Sequence, residues 1–446
     1  MQIMRKHWYQ LGGIALLLLC SWLLLFRPQL GALRLMTILN LMALFTHQLE
    51  EYQFPGGAPM VINRVVYDEV KQPDRFPGNE LSIMIVNASA WVIYVVAIAL
   101  PQVTWLGMGV MFFSLFQILG HCLEMNLKLK TWYNPGMATT LLLFLPLGWH
   151  YIAYVLAQHL LDPAGWLAAI FMLLACIVLT IILPVQGLKN RNTPYPIDSW
   201  QVRRFAQVTH WARRKGRTEM MNRIIAHWYE LAVYIAAGVA MVLALGEWSF
   251  EQRILLLSLC VLHVHFFEEF GFPGGFVWGG LKVEQGRVNP DVGKWPLNML
   301  SAWWGNEWFA LAVYTLPLFL PQYHWLVLAA VIFAFAEVLM HVVIFNIGLR
   351  SWYNPGLVSA LFGLMPISIW YLLRTLPTGQ FNWRDLLLAV LWIAFNYWMA
   401  FKSPMCKALT AKTDYRLSKR EVMKAHVYME RTHSDPTVLQ NFGSEE

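Results

Sequence analysis

Long apolar runs, separated by short polar segments, dominate the sequence. Six runs in each half are long enough, or nearly long enough, to cross about 30 Å of hydrocarbon as a helix. They lie near 11–26, 31–49, 82–100, 104–125, 136–157 and 165–183 in the first half, and near 224–245, 252–269, 300–319, 325–346, 356–373 and 386–401 in the second. The pattern predicts an all-α fold, a polytopic membrane helix bundle with about 12 transmembrane helices.

The two halves repeat each other at an offset of about 220 residues. PQVTWL from Pro101 matches PQYHWL from Pro321, and TWYNPG from Thr131 matches SWYNPG from Ser351. Internal repeats on this scale often build membrane folds with two lobes, and six helices per repeat imply that the two repeats are parallel. The predicted domains are a first six-helix repeat at 1–185, a basic amphipathic cytoplasmic linker at 186–223, a second six-helix repeat at 224–405 and a polar cytoplasmic tail at 406–446.

The composition agrees with a membrane protein and excludes several other classes. Hydrophobic residues make up 58% of the chain and charged residues 13%, outside the usual range of soluble domains. The five cysteines are scattered, mostly in apolar runs, so we interpret them as core residues rather than disulfides or a thiolate metal site. The net charge is +7, but the basic residues flank the apolar runs. The lipid bilayer, and not nucleic acid, is therefore the expected partner.

The distribution of basic residues predicts the orientation. If the N-terminus is cytoplasmic, all but five of the 33 Lys and Arg residues fall on the inner side. The five are Arg27, Arg34, Arg253, Arg374 and Arg384. We therefore expect both termini in the cytoplasm, with the protein in the plasma membrane if it is bacterial. The first apolar run also has features of a secretory signal, but a matching helix opens the second half, which favours a transmembrane helix.

The linker and the loops after the second helices each allow two interpretations. Trp200, Phe205, Val208 and Trp211 lie among arginines, which predicts either an amphipathic helix on an anionic inner leaflet or a solvated linker. The loops at 53–80 and 271–298 follow FPGG turns and are long and apolar. We expect the turns to end the helices, and the loops either only connect helices or fold back over the motif as lids or re-entrant segments.

Histidine and paired glutamates end the second apolar run of each half. HQLEE begins at His47 and HFFEE at His265. The spacing i, i+3, i+4 places His47, Glu50 and Glu51 on one helix face. Ionised carboxylates at membrane depth are costly unless they are paired, neutralised or bound to a cation. In the predicted topology the fourth helix ends at the same depth, close to the YNPG turn.

Imidazoles and carboxylates without thiolates suit zinc, iron or manganese with an open coordination position. The candidate metal ligands are His47, Glu50, Glu51 and His121 in the first half, and His265, Glu268, Glu269 and His341 in the second. The candidate catalytic residues are Glu124, Glu337, Tyr133 and Tyr353. Ile344 occupies the Glu124 position in the second half, and Glu337 lies one turn before His341 instead. The halves are therefore not equivalent.

These motifs, HQLEE and HFFEE, each followed by a further histidine and a YNPG turn, resemble those of the HXXEE domain family of predicted integral membrane proteins. The resemblance covers residues about 30–185 and 250–405, so both six-helix repeats are identified as HXXEE-type. The family has no settled biochemical activity, and the resemblance therefore implies none for this chain. The chain differs from a single-domain pattern by holding two tandem copies.

Three functions are compatible with these residues. The first is a metal-dependent enzyme that acts on a lipid or a membrane-associated small molecule at the cytoplasmic helix ends. The second is a proton- or cation-coupled transporter that uses the same groups. The third is a structural membrane protein with inert, hydrogen-bonded clusters. The outer halves of the helices are poor in ionisable groups, which favours the enzyme, because a transporter needs a polar path to the outer face.

Overall fold

The computed structural model describes residues 2–26, 28–213 and 217–434. Over these residues the chain is helical and forms no β-sheet; one isolated backbone bridge joins Thr131 and Arg213. The prediction of an all-helical fold is therefore confirmed.

The chain divides into two compact units, Met1–Met220 and Met221–Glu446, called here the first and the second unit. The helices of the first unit are α1 (Gln2–Phe26), α2 (Ala32–Tyr52), α3 (Glu80–Ala99), α4 (Thr104–Leu129), α5 (Met137–Ala157), α6 (Pro163–Leu188) and α7 (Ser199–Ala212). Those of the second unit are α8 (Trp228–Leu245), α9 (Phe250–Gly271), α10 (Phe276–Gln285), α11 (Met299–Phe309), α12 (His324–Gly348), α13 (Leu357–Thr378), α14 (Trp383–Thr410), α15 (Lys419–Met423) and α16 (His426–Arg431). A short helix, Arg217–Ala226, precedes α8.

Nine of the described helices are long and apolar enough to cross a membrane: α3 to α6, α8, α9 and α12 to α14. This is the pattern of a multi-pass membrane protein in a lipid bilayer. The predicted spans in α1, α2 and α11 are outside this set. The polar end of α2 lowers its mean hydropathy, and α11 is 11 residues long before wider helical turns continue the chain. Twelve membrane-spanning helices in two repeats therefore stay a prediction.

The repeat extends to the helix ends. The Asn79 side chain accepts hydrogen bonds from the backbone of Leu81 and Ser82, and the Ser82 hydroxyl accepts one from the Asn79 backbone. Asn298 and Ser301 form the same reciprocal cap at the start of α11. These caps satisfy N–H groups that have no partner inside the helix. They define where α3 begins in the first unit and where α11 begins in the second.

Helix α7 covers the FPGG turn of the first unit. The Gln201 side chain accepts from the Gly57 backbone at 2.7 Å and donates to the Tyr52 carbonyl at 2.8 Å. Arg204 donates to the Pro55 carbonyl at 2.6 Å. Because α7 packs on its own unit through buried contacts, the linker helix is a part of the first unit. The loop that it covers is folded back, with a short helix at Ala58–Val61.

The C-terminal segment covers the second FPGG turn in the same way. Lys424 donates to the Phe270 carbonyl at 2.6 Å and to Glu421 at 2.8 Å. Glu421 and Lys424 stand at the same repeat offset from Gln201 and Arg204. Burial lowers the pKa of the Lys424 ammonium, and the carbonyl and carboxylate compensate for its lost hydration. The duplication therefore includes the linker helix and the described part of the tail.

Glu69 tethers the loop that follows the first FPGG turn. Its Oε1 accepts from the backbone of Lys71 and Gln72 at 2.8 and 3.1 Å, and its Oε2 accepts from Arg191 at 2.7 Å. The hydrogen bond from Arg191 lowers the pKa of Glu69 to about 2, from an ordinary value of 4.5. The tether is therefore complete above pH 4.5 and is lost as the pH falls towards 2.

We predict that Glu69→Gln speeds backbone hydrogen exchange in the segment 67–75 at neutral pH, because a neutral amide binds Arg191 weakly. The wild-type segment should show the same change, after correction for intrinsic rates, as the pH falls from 4.5 towards 2. Hydrogen–deuterium exchange measured by mass spectrometry tests this, with the exposed Glu247→Gln as control. Equal exchange in Glu69→Gln and wild type at neutral pH would contradict the tether.

Candidate metal centres

Two histidines from different helices meet one carboxylate in the first unit. The Glu51 Oε1 atom lies 3.8 Å from His47 Nε2 and 3.5 Å from His121 Nε2. All three residues are buried, and the two imidazole rings are nearly perpendicular with centroids 5.0 Å apart. His121 lies in a widened helical turn within α4, a feature that often marks functional sites. His47, Glu51 and His121 are called the first His/Glu group.

The hydrogen-bond network assigns the tautomer of His121. Asn134 Nδ2 donates to the His121 carbonyl at 2.6 Å and to Asn126 Oδ1 at 2.9 Å. The amide oxygen of Asn134 is therefore the atom that faces His121 Nδ1, at 2.7 Å. An oxygen acceptor places the proton on Nδ1. In the neutral ring, the Nε2 lone pair then points towards Glu51.

His47 is held in the same way by a hydroxyl. Its Nδ1 lies 2.9 Å from Thr139 Oγ1. The Thr139 hydroxyl donates a hydrogen bond to Glu50 Oε2 at 2.5 Å. Its oxygen is therefore left to accept a hydrogen bond from the N–H at His47 Nδ1. The Nε2 lone pair of the neutral His47 ring therefore also faces Glu51. Glu50, Thr139 and His47 form a continuous chain of hydrogen bonds.

Glu50 holds the start of α5 instead of facing the two imidazoles. Its Oε1 accepts from the Tyr133 hydroxyl at 2.7 Å and from the Ala138 backbone at 3.0 Å. Its Oε2 accepts from the backbone and the hydroxyl of Thr139. The first N–H groups of a helix have no intrahelical partner, and the helix dipole favours an anion there. Four donors thus compensate for the buried Glu50 carboxylate.

Two carboxylates of the second unit each lie near both imidazoles, and the ligand atoms of His265, Glu337 and His341 all lie within 4.8 Å of one another. Glu269 Oε1 lies 3.5 Å from both His265 Nε2 and His341 Nε2. Glu337 Oε2 lies 3.8 Å from His265 Nε2 and 3.4 Å from His341 Nε2. The imidazole centroids are again 5.0 Å apart at 89°. His265, Glu269, Glu337 and His341 are called the second His/Glu group.

The supporting contacts are repeated around the second group. His341 Nδ1 lies 2.6 Å from Asn354 Oδ1, and His265 Nδ1 lies 2.9 Å from Ser359 Oγ. Glu268 accepts from the Tyr353 hydroxyl and the Val358 backbone, each at 3.0 Å, and from the backbone and hydroxyl of Ser359. The second unit therefore holds its two imidazoles in the orientation found in the first.

His341 Nε2 is one of several buried side-chain atoms without a hydrogen bond in the described part of the chain. His341 is fully buried, and its Nε2 has no hydrogen-bond partner among the described residues, although carboxylate oxygens lie 3.4 and 3.5 Å away. Buried polar atoms normally have a partner, and an exception needs an explanation. A cation between the nitrogen and the carboxylates would satisfy all of them.

Comparison with known families identifies the two copies. A family model described as "Protein of unknown function with HXXEE motif" matches residues 38–151 and 254–371, more than half of the chain. The chain belongs to this HXXEE family. The comparisons with curated proteins and with solved structures gave no match. Each matched range contains one complete His/Glu group, which confirms the expected tandem pair of HXXEE copies.

The residues of the HXXEE motif have different roles in the structure. The histidine and the second glutamate, His47 and Glu51 in the first copy, face the shared group. The first glutamate, Glu50, binds the start of the next long helix. The tyrosines Tyr133 and Tyr353 donate to this first glutamate and do not reach the imidazoles. Both tyrosines were candidate catalytic residues, and in the structure they contact the first glutamate of the motif and are not members of the His/Glu groups.

The two glutamates among the candidate catalytic residues differ in position. Glu124 lies outside the first group, with its carboxylate 3.1 Å from Lys128 Nζ and 44% of its side chain exposed. It follows His121 by three residues on α4 and pairs with Lys128, one turn further along the helix. Glu337 joins the second group because it precedes His341 by four residues, one helical turn.

Sequence reasoning missed the residues that orient the imidazoles. Thr139, Ser359, Asn134 and Asn354 were not among the predicted site residues. The signal was the repeat itself, since a hydroxyl and an amide recur at matching places in both HXXEE copies. Each of these residues lies within or after a YNPG turn, and the turn carries the start of the next helix towards the HXXEE motif.

The glycine of the YNPG turn makes room for the histidine. Gly136 has φ +103°, and a Cβ atom there would overlap the His121 ring. Gly356 has φ +101°, and a Cβ atom there would overlap the His341 ring and crowd His265. Side chains with a Cβ atom rarely adopt this backbone conformation. The turn therefore needs glycine both for its backbone and for the space beside the imidazole.

We predict that Gly136→Ala lowers the free energy of unfolding by about 1–3 kcal/mol, because alanine is strained at positive φ and its methyl group displaces His121. Gly187→Ala is the matched control, since no atom lies within 4 Å of the added Cβ atom. Thermal unfolding of the purified protein in one detergent measures both variants. A Gly136→Ala variant as stable as Gly187→Ala would contradict the steric argument.

Proposed function

We propose that the two His/Glu groups bind divalent transition metal ions, and that the protein is a membrane-embedded, metal-dependent enzyme acting on a lipid or a membrane-associated small molecule. One observation carries the proposal. In each group two imidazole Nε2 atoms, with their Nδ1 atoms already hydrogen-bonded, face a shared carboxylate oxygen. Lone pairs and a carboxylate repel each other unless a proton or a metal cation lies between them, and the distances between these atoms favour the metal.

The spacing of the ligand atoms supports an ion rather than direct hydrogen bonds. Ligands bound at about 2.0–2.1 Å to a tetrahedral ion lie about 3.3–3.4 Å from one another. The Nε2 to carboxylate oxygen distances are 3.4 to 3.8 Å across the two groups. A charge-assisted hydrogen bond would bring these atoms to about 2.7–2.9 Å. The groups are therefore close to the size of a zinc, iron or manganese site.

The second layer of contacts supports the same conclusion. Histidine ligands of metals usually donate their other ring N–H to an oxygen, which fixes the ring and its tautomer. All four imidazoles here have such a partner: Thr139, Asn134, Ser359 and Asn354. Rings held in this way lose little entropy when an ion binds.

The surroundings support a substrate that comes from the membrane. Leu119 and Leu123, beside His121 on α4, are 56% and 54% exposed, as expected for side chains that face lipid. A bound ion polarises a carbonyl or phosphoryl oxygen and lowers the pKa of a bound water. In the predicted orientation the reaction takes place at the cytoplasmic side of the membrane, where a lipid headgroup and water are both available.

A transporter would need a polar path away from each group. In the first unit, Asn40, Ser114 and Tyr94 form a buried hydrogen-bonded cluster two turns from His47 along α2. At the Ser114 position the second unit has Ala334, whereas Ser258 and Tyr314 stand at the positions of Asn40 and Tyr94. The support for the enzyme over the transporter therefore comes from the outer halves of the helices, which are poor in ionisable groups.

We predict about two bound metal ions per chain, one for each His/Glu group. His47→Ala and His265→Ala should each retain about one ion, because each removes one imidazole from one group, and the double variant should retain none. Inductively coupled plasma mass spectrometry of protein purified without added chelator measures the content. The absence of stoichiometric metal from the wild-type protein would overturn the proposed function.

We predict that Glu51→Gln lowers the metal content to about one ion per chain, because a neutral amide is a weak ligand for these metals. Glu124→Gln should keep both ions, since that carboxylate pairs with Lys128 outside the group. The same metal measurement compares the two variants, and size-exclusion profiles check their folding. Equal loss of metal in both variants would contradict the ligand assignment.

A further inference from the structure

The two His/Glu groups differ by one carboxylate. The second group has Glu337 one turn before His341, 3.4 Å from its Nε2 atom. The first unit has Gln117 at the corresponding place, one turn before His121. The first group therefore offers two imidazoles and one carboxylate, and the second offers two imidazoles and two carboxylates.

The walls of the two groups also differ. Phe276 and Phe345 pack against His341, with ring centroids 5.7 and 5.1 Å from the imidazole. The corresponding residues of the first unit are Ala58 and Met125. Two aromatic rings therefore pack on His341, where the first unit has an alanine and a methionine.

Beside the histidine of the HXXEE motif, the larger side chain is in the first unit. Phe144 lies 5.1 Å from His47, where the second unit has Leu364. Residue size therefore differs at both histidines: smaller side chains stand near His121 in the first unit, and a larger one stands near His47.

Charge makes the same distinction. Two carboxylates neutralise a divalent ion, whereas one carboxylate leaves a net charge of about +1 at the ion. Two histidines and one glutamate, with water at the fourth position, form the ligand set of catalytic zinc sites in metalloproteases. A site with four protein ligands is closed and supports structure instead. The residual positive charge favours the ionisation of a coordinated water.

Building on the proposed function, we propose that the first unit holds the reactive metal centre, with an exchangeable water beside His47, Glu51 and His121, and that the second unit holds a closed structural centre. Chemistry on the membrane substrate then takes place in the first HXXEE copy. The second copy keeps the orienting contacts of its histidines but fills the open coordination position with Glu337.

Cobalt(II) substitution in the full-length protein tests this proposal. His265→Ala isolates the first centre and His47→Ala isolates the second. Azide, a small anion that replaces coordinated water, should change the cobalt(II) absorption spectrum of the first centre and leave that of the second unchanged. The second centre should also hold cobalt(II) at least about tenfold more tightly in a chelator competition, because it has one more charged ligand.

Exchanging the residue that differs between the two groups, Gln117 in the first unit and Glu337 in the second, provides the matched controls. Gln117→Glu, added to His265→Ala, should tighten cobalt(II) binding and abolish the azide response. Glu337→Gln, added to His47→Ala, should weaken binding and create an azide response. A residue that serves packing alone would change stability without transferring the anion response from one centre to the other.

The outcomes separate this inference from the proposed function. Metal at both centres with equal azide responses, or a response at the second centre alone, would overturn the inference and leave the metal sites in place. Absence of cobalt(II) from both centres would overturn both. If a histidine variant does not fold, titration of the wild-type protein decides, since only one of its two cobalt(II) ions should respond to azide.

Discussion

The burial of adjacent carboxylates between apolar helices is the constraint on which the two units depend. A carboxylate removed from water costs several kcal/mol unless donors or a cation compensate for the lost hydration. Glu50 and Glu268 meet this requirement with four hydrogen bonds each, most of them from the start of the helix after the YNPG turn. This contact joins α2 to α5 and α9 to α13. The hydroxyls of Thr139 and Ser359 then extend it to the histidines.

The YNPG turn serves the candidate centre as well as the backbone. Its asparagine accepts a hydrogen bond from His121 in the first unit and from His341 in the second, and donates one to the carbonyl of the same histidine. Its tyrosine donates to the buried glutamate, and its glycine leaves space for the imidazole. A short turn therefore positions three of the groups around each HXXEE motif. Its role as a helix start and its role in the site are fulfilled by the same atoms.

Duplication has kept the supporting contacts and changed the group in the centre. Both units cover their FPGG turn with a cationic side chain, Arg204 or Lys424, from a helix that follows the last long one. Both hold their histidines through a hydroxyl and an amide. The differences fall on the fourth donor and on the aromatic wall, where changes affect an ion more than the fold. This distribution agrees with the proposal that the first copy holds a reactive centre and the second a structural one.

The sequence by itself determined the helical class, the duplication and the pairing of His47 with Glu51, because hydropathy and the spacing of four residues on a helix are local properties. It also named all seven members of the His/Glu groups, with Glu337 as a candidate catalytic residue and the other six as candidate metal ligands: His47, Glu51, His121, His265, Glu269, Glu337 and His341. Only the tertiary structure decided that Glu51, and not Glu50, faces the imidazoles. The two glutamates are neighbours on one helix, and the position of α5 separates their roles by supplying N–H donors to one of them.

The structure likewise decided between Glu124 and Glu337. Each lies within one turn of a histidine, and the direction in which its helix packs determines whether the carboxylate turns inward. The residues that orient the histidines lay beyond sequence reasoning for the same reason. Thr139 and Ser359 are more than 90 residues from the histidines of the HXXEE motifs, and such contacts form only when distant helices pack. Local patterns fix which helices form, whereas the approach of one helix to another fixes which side chains meet.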